Sequence, residues 1–272
     1  MPGPGPISTS HGEVAVLDVE GPGLPLLFLH GNSSCKEVFV HQLEGPLRAR
    51  RRLIAIDFPG CGASDDARDP ARTYNMAGYA GSVMEVLAAL GVSQAAVFGW
   101  SLGGHVALEL LPRFDGLAGL MIAATAPVHP TPEAVFAAYR QHHAVALIAK
   151  EVFTAEEARS FAEALYGTAV TPELVAAARR ADGRARRLVL ETAFDGPYDQ
   201  RVLAETATKP IAVVNGADDP IVNVDYVASL AYPTLWEGRC FEIPAAGHAA
   251  FLSQPAAFNP ILERFVASLS HS

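Results

Sequence analysis

Six short apolar runs recur along the chain: "LPLLFLH" at 24–30, "RLIAIDF" at 52–58, "QAAVFGW" at 94–100, "LAGLMIAA" at 117–124, "PIAVVNG" at 210–216 and "CFEIP" at 240–244. Each has strand length and is nearly continuous, not alternating with polar residues. Continuous runs belong to strands covered on both faces, as in a parallel sheet. Helical patterns separate them. "YNMAGYAGSVMEVLAALG" (74–91) has apolar residues at helical spacing and stops at Gly91, and "LGGHVALELLPR" (102–113) ends near Pro112. This alternation predicts an α/β fold with a mostly parallel, doubly wound sheet. An earlier run, "EVAVLDVE" (13–20), alternates and is expected as an edge hairpin strand.

The rhythm breaks between about 126 and 208, where helix signals follow one another without a convincing strand. Thr131-Pro132-Glu133 supplies an N-cap, a proline at the first helical position and an acid in the first turn. Thr154 and Glu157 form a capping-box pattern, and Thr171-Pro172-Glu173 repeats the first signal. A chain of 272 residues accommodates one large α/β domain with an inserted subdomain. The expected division is a core of 1–125 and 209–272 and a helical cap, or lid, of 126–208. A cap there would cover the C-terminal edge of the sheet, where α/β folds bind ligands.

The chain is 50% hydrophobic and 18% charged, far from a disordered composition. A net charge of −9 argues against nucleic acid as a partner. The basic run "RARRR" (48–52) reads as the end of a helix, where cations favour the terminal dipole. "MPGPGPISTSHGEV" lacks the regions of a secretory signal, and no stretch approaches the roughly 20 apolar residues of a membrane span. Cys35, Cys61 and Cys240 have no metal-type spacing and fit free thiols. A cytoplasmic protein with a small-molecule partner is expected, with no membrane and no nucleic acid; the oligomeric state stays open.

Chemistry concentrates in "VFGWSLGGH" (97–105). Gly-x-Ser-x-Gly alone is weak, but here a buried strand precedes Ser101 and a helix follows it. Such a turn strains the serine backbone, and Gly99 and Gly103 leave room for it. A serine nucleophile needs a base and an orienting acid, in the chain order Ser, Asp or Glu, His for this topology. "VVNGADDPIV" offers two competing acids after a strand, Asp218 and Asp219; Asp219, followed by the rigid Pro220, is preferred. "EIPAAGHAAFLSQP" offers His248 as base after the last strand. His11, His41, His105, His142, His143 and His271 lie outside that order and read as structural. In "FLHGNSSC", Gly31 turns the chain so that the Asn32 amide can join that of Leu102 in an oxyanion hole, with His30 bonded inside the loop. "DFPGCGASDD" (57–66) lacks the lysine and hydroxyl residue of a phosphate loop and is expected to be scaffold.

"HGNSS", "DFPGCGASD", "GWSLGG" and "NGADDP…AGH" together resemble the α/β-hydrolase superfamily over essentially the whole chain. With "DGRARR" (182–187) and "LWEG" (235–238), the chain is also similar to the metal-independent N-acyl-homoserine lactonases of that superfamily. The resemblance implies opening of a lactone ring without metal or cofactor, with Ser101 as nucleophile, His248 as base, Asp219 as acid and Asn32 with Leu102 as oxyanion donors. It further implies that Trp100 and Gly31 line the pocket and that the cap holds the acyl chain. The family pattern carries Glu where this chain has Asp219. It also carries a cap tyrosine where Phe161 stands, with Tyr166 near enough to substitute.

The implied reaction is acyl transfer in two halves, through a ring-opened acyl-enzyme that water then releases. "QHH" (141–143) lacks further ligands at metal spacing, and a serine at the elbow excludes an aspartate-nucleophile hydrolase. A general carboxylesterase or a carbon–carbon bond hydrolase is compatible with the same residues. So is a hydrolase-fold receptor with little turnover.

Overall fold

The computed structural model describes residues 5–193 and 195–269; His271 and the start of the Pro/Gly-rich tail lie outside them. The six apolar runs form strands, each trimmed by one to three residues. They are β4 (Leu26–Leu29), β5 (Leu53–Ile56), β6 (Ala95–Trp100), β7 (Leu117–Ala123), β8 (Ile211–Gly216) and β9 (Phe241–Ile243). The 13–20 run divides in two. Gly12–Val14 (β2) pairs with Ile7–Thr9 (β1) in a hairpin, and Val16–Val19 (β3) pairs antiparallel with β5 at the sheet edge. The break falls at Ala15, whose N–H donates to the Ser64 hydroxyl while Glu13 bonds Asp65, so a core loop takes the ladder positions.

Seven strands form one sheet in the order β3-β5-β4-β6-β7-β8-β9, parallel except for β3. Strands β4 to β8 are buried at every described position but Ala118, as continuous apolar runs require. Phe28, Phe39, Phe98, Phe251 and Phe258 interlock in the core at centroid distances of 5.1–6.0 Å. The register places Leu29 opposite Gly99 and Gly216 opposite Ile243. The loops that leave β4, β6, β8 and β9 therefore emerge at the same carboxyl edge of the sheet.

In the first half of the chain, helices follow at α1 (Val40–Leu43), α2 (Pro70–Thr73), α3 (Met76–Ala89) and α4 (Leu102–Glu109). The "RARRR" run ends no α-helix: it starts inside a 3-10 turn at Pro46–Ala49 and continues past it, because Pro46 holds Gly45 extended and separates the turn from α1. Arg52 instead pairs with Asp18 across the edge strands at 2.6 Å. Among the described residues, six α-helices lie between β7 and β8: α5 (Pro132–Ala138), α6 (His143–Leu147), α7 (Ala155–Tyr166), α8 (Pro172–Arg180), α9 (Gly183–Glu191) and α10 (Gln200–Glu205). Thr131, Thr154 and Thr171 cap three of them, with the reciprocal Glu157 bond in place at Thr154. After β8 come α11 (Val224–Ala228), α12 (Ala250–Ser253) and α13 (Pro255–Ser268). Among the described residues, no helix is long and apolar enough to cross a membrane.

Candidate active site

Ser101 links β6 directly to α4 with φ 53° and ψ −118°, a conformation that costs a non-glycine residue energy. Its flanking glycines are imposed by contact. A Cβ on Gly99 would lie 2.4 Å from the Gly103 carbonyl oxygen, and one on Gly103 would lie 2.0 Å from that of Leu29. The Ser101 N–H donates to the Ala123 carbonyl at 2.9 Å, and Thr125 Oγ1 donates to the Ser101 carbonyl at 3.1 Å. The elbow is thus tied to the end of β7 and the residues that follow it.

A hydrogen-bonded chain runs from this serine. Ser101 Oγ lies 3.0 Å from His248 Nε2, and His248 Nδ1 lies 3.0 Å from both carboxylate oxygens of Asp219. Asp219 Oδ1 also accepts the Ile221 and Val222 N–H groups at 2.8 and 2.9 Å. With Nδ1–H given to the carboxylate, Nε2 is left to accept from the serine hydroxyl. The competing acid, Asp218, is directed elsewhere and lines the neighbouring cleft.

The base loop is braced by the residue before the nucleophile. Trp100 and Gly31, expected to line the pocket, are instead buried away from it. The fully buried indole ring of Trp100 stands 5.7 Å from the His248 ring, 5.3 Å from Phe251 and 5.7 Å from Tyr166. Gly31 presses on that indole, where a Cβ would fall 2.9 Å from two ring carbons. His30 Nδ1–H donates to the Gly31 carbonyl at 2.7 Å while Nε2 accepts the Phe58 N–H at 3.0 Å. Burial pushes the His30 pKa down and keeps the ring neutral.

Asn32 follows β4 and Leu102 opens α4, where the first N–H groups have no intrahelical acceptor. The Asn32 side chain turns to the helical insertion, with Nδ2 donating to the Ile148 carbonyl at 3.4 Å. The loop 57–66 is scaffold: buried Asp57 takes the Lys36 ammonium, the Lys36 N–H and the Ala63 N–H.

Beside His248 opens a cleft of about 460 Å³, lined on the core side by Asp218 and Pro220 and on the insertion side by His142, His143, Ser160, Glu163 and Tyr166. His142 and His143 read as structural from sequence because they lie outside the order the triad requires. They lie at the start of α6, facing the cleft, with His143 Nε2 3.0 Å from Ser160 Oγ. Burial and the adjacent His143 push the His142 pKa down. Tyr166 is buried, lines the cleft and donates to Ser34 Oγ at 2.9 Å. Phe161 takes a different place from the pocket position expected of it. It is buried inside the insertion against Phe153 at 5.3 Å, because helical spacing groups it with inward-facing Ala158, Ala162 and Leu165. Its neighbour Ser160 is the one on the cleft. Among the described residues, no group of three or more His, Cys, Asp or Glu side chains could hold a metal ion.

Residues 25–255 match the alpha/beta hydrolase fold family. The chain belongs to that family. This α/β hydrolase superposes with a TM-score of 0.95 on the N-acyl homoserine lactonase AidH, at 42% identity over 98% of this chain and 97% of that one. AidH has been crystallised with N-butanoyl homoserine. A serine-to-glycine variant has been crystallised with N-hexanoyl homoserine lactone, and a glutamate-to-glycine variant with N-hexanoyl homoserine. The esterase RhEst1 from Rhodococcus sp. ECU1013 superposes at 0.80, with 26% identity over 97% of this chain and 98% of its own. The pimeloyl-[acyl-carrier protein] methyl ester esterase of Stenotrophomonas maltophilia is 30% identical, covering 93% of this chain and 97% of its own.

Proposed function

We propose that the protein opens the lactone ring of N-acyl homoserine lactones, with Ser101, His248 and Asp219 as its catalytic triad. The observation that carries the chemistry is the continuous chain Ser101 Oγ, His248 Nε2, His248 Nδ1, Asp219 carboxylate, each link at 3.0 Å, beside a cleft roofed by the helical insertion. The substrate class is supported by the likeness to AidH, which extends over nearly the whole of both chains.

In this reading His248 takes the Ser101 proton as Oγ attacks the lactone carbonyl, and the Asn32 and Leu102 N–H groups hold the oxyanion. Collapse breaks the ring C–O bond, and His248 returns the proton to the departing alkoxide, which stays tethered as the homoserine hydroxyl. His248 then activates water, which attacks the acyl-enzyme and frees N-acyl homoserine and Ser101. Asp219 holds the imidazole tautomer and balances its charge while protonated. The helices between β7 and β8 act as the lid, with Tyr166 as a wall of the pocket and the buried Trp100 and Gly31 bracing the His248 loop from behind.

A general carboxylesterase is the second reading, favoured by the likeness to RhEst1 and to the pimeloyl ester esterase. Incubation with short- and long-chain acyl-homoserine lactones separates the two. A product heavier by one water, which re-closes in acid and is absent with Ser101→Ala, supports the lactonase. Hydrolysis of p-nitrophenyl esters with intact lactones would leave the esterase.

A further inference from the structure

The "DGRARR" motif at 182–187 lies outside the triad, and the structure gives it a mechanical task. Asp182 caps α9, accepts the Tyr74 hydroxyl at 2.6 Å and donates its N–H to the Gly60 carbonyl at 2.8 Å. A Cβ at Gly183 would fall 1.6 Å from the Glu151 carbonyl oxygen, so the helix start is pressed against the chain before α7. From this anchored helix Arg186 reaches inward. The residue is 3% exposed, and its guanidinium donates to the carbonyls of Lys150 and Glu151 at 2.6 and 2.8 Å and to Ser33 Oγ at 3.0 Å. Among the described residues its partners are carbonyls and one hydroxyl, not a carboxylate, and the cation stacks 3.9 Å over Phe153. Burying a guanidinium without a carboxylate is costly, so its bonds must hold something whose position matters.

They hold the loop that bears Asn32. Three consecutive residues are gripped from three parts of the insertion: Asn32 by Ile148, Ser33 by Arg186 and Ser34 by Tyr166. The polarity is fixed throughout, because arginine can only donate. Arg186 N–H points to Ser33 Oγ, the Ser33 O–H then points to Asn32 Oδ1 at 2.8 Å, and Asn32 Nδ2–H points to the Ile148 carbonyl. Ser33 itself sits at φ 53°, a conformation that needs outside support.

We propose that Arg186, acting through Ser33, is a positioning residue that aims the Asn32 amide at the oxyanion; this rests on the serine-hydrolase reading above. An oxyanion donor matters most in the transition state, so its misalignment lowers kcat more than it raises KM. The test measures N-hexanoyl homoserine lactone and p-nitrophenyl butyrate turnover, per active site titrated to completion with paraoxon. Arg186→Gln should lower kcat about tenfold or more on both substrates with KM within about threefold, and Arg186→Lys should restore part of the loss. Ser33→Ala, which keeps the backbone demand and removes the hydroxyl, should show the same split, and the double variant should lose no more than the worse single. Unchanged kcat, a loss confined to KM, or full additivity would overturn the positioning role. Should Arg186→Gln fail to fold, Ser33→Ala and Arg186→Lys decide by the same criteria. Wild-type protein active on the ester but not the lactone would remove the lactone assignment and leave Arg186 testable on the ester; inertness on both would overturn the hydrolase reading and this inference with it.

Discussion

The Trp100 indole Nε1–H donates to the main-chain carbonyl of His248 at 2.8 Å, so the residue before the nucleophile fixes the backbone of the base. Two loops far apart in sequence are thereby held in register by one buried bond. Trp100→Phe keeps most of the ring and removes the donor, leaving a buried carbonyl short of its partner. A loss of about 1–3 kcal/mol in denaturant unfolding is expected, with a lower kcat as the His248 loop loosens. Wild-type kcat in that variant would mean the indole bond does not set the base.

Gly31 is the other face of the same contact. A methyl group there would lie 2.9 Å from the indole, and the ring is enclosed by His248, Phe251 and Tyr166, so it has nowhere to retreat. Gly31→Ala should cost about 1–3 kcal/mol by overpacking and depress turnover. Gly196→Ala, where nothing lies within 4 Å, is the control and should leave both stability and kcat near wild type.

The two adjacent aspartates should behave oppositely. Asp219 meets His248 with both oxygens and takes two main-chain N–H groups, whereas Asp218 lines the cleft. Asp219→Asn presents an amide where a carboxylate should accept Nδ1–H, favouring the wrong tautomer. A fall of about 10³- to 10⁴-fold in kcat follows, while Asp218→Asn should stay within about threefold. Steady-state kinetics on the two purified variants checks it, and equal losses would sink the assignment.

Sequence made the strands legible because burial on both faces leaves a pattern that tertiary context rarely overrides, as in "LPLLFLH" and "QAAVFGW". The Ser101 elbow was legible because its glycines answer to backbone contacts that no other residue fits. Between Asp218 and Asp219, sequence favoured Asp219 only through the rigid Pro220 that follows it, since adjacent loop residues differ mainly in which way the backbone turns them. The cleft-facing roles of His142 and His143 escaped for another reason. They depend on how the insertion lies over the sheet, and a helical pattern states which residues share a face but not what that face meets. Phe161 went the same way: its helix was legible, its inward rotation towards Phe153 was not.

Stability should fall as the solution is acidified through the histidine range. Burial lowers the pKa of His30 and His105 below the ordinary value of 6.5. The unfolded chain therefore binds more protons than the folded one between the depressed folded values and 6.5. Their contribution is fully present above that value and is lost as pH falls through the folded pKa values. Urea midpoints measured from about pH 7 to about pH 5.5 isolate this window, because carboxylates titrate lower. A flat or rising midpoint on acidification would contradict the neutral state of both rings.

Ser101 offers a test of stored backbone strain that is separate from activity. Ser101→Ala and Ser101→Gly both remove the hydroxyl bonded to His248, so both should lack turnover. They differ in the backbone. Alanine must still occupy φ 53° and ψ −118°, at a cost of about 1–3 kcal/mol, whereas glycine adopts this region freely. Against this, glycine gives the unfolded chain extra freedom worth about 0.5–1 kcal/mol. The strain outweighs that freedom, so Ser101→Gly should be more stable than Ser101→Ala by about 1 kcal/mol, the reverse of the usual order in regular structure. Denaturant unfolding of the two variants measures the difference, and alanine the more stable of the pair would show that the elbow stores no strain.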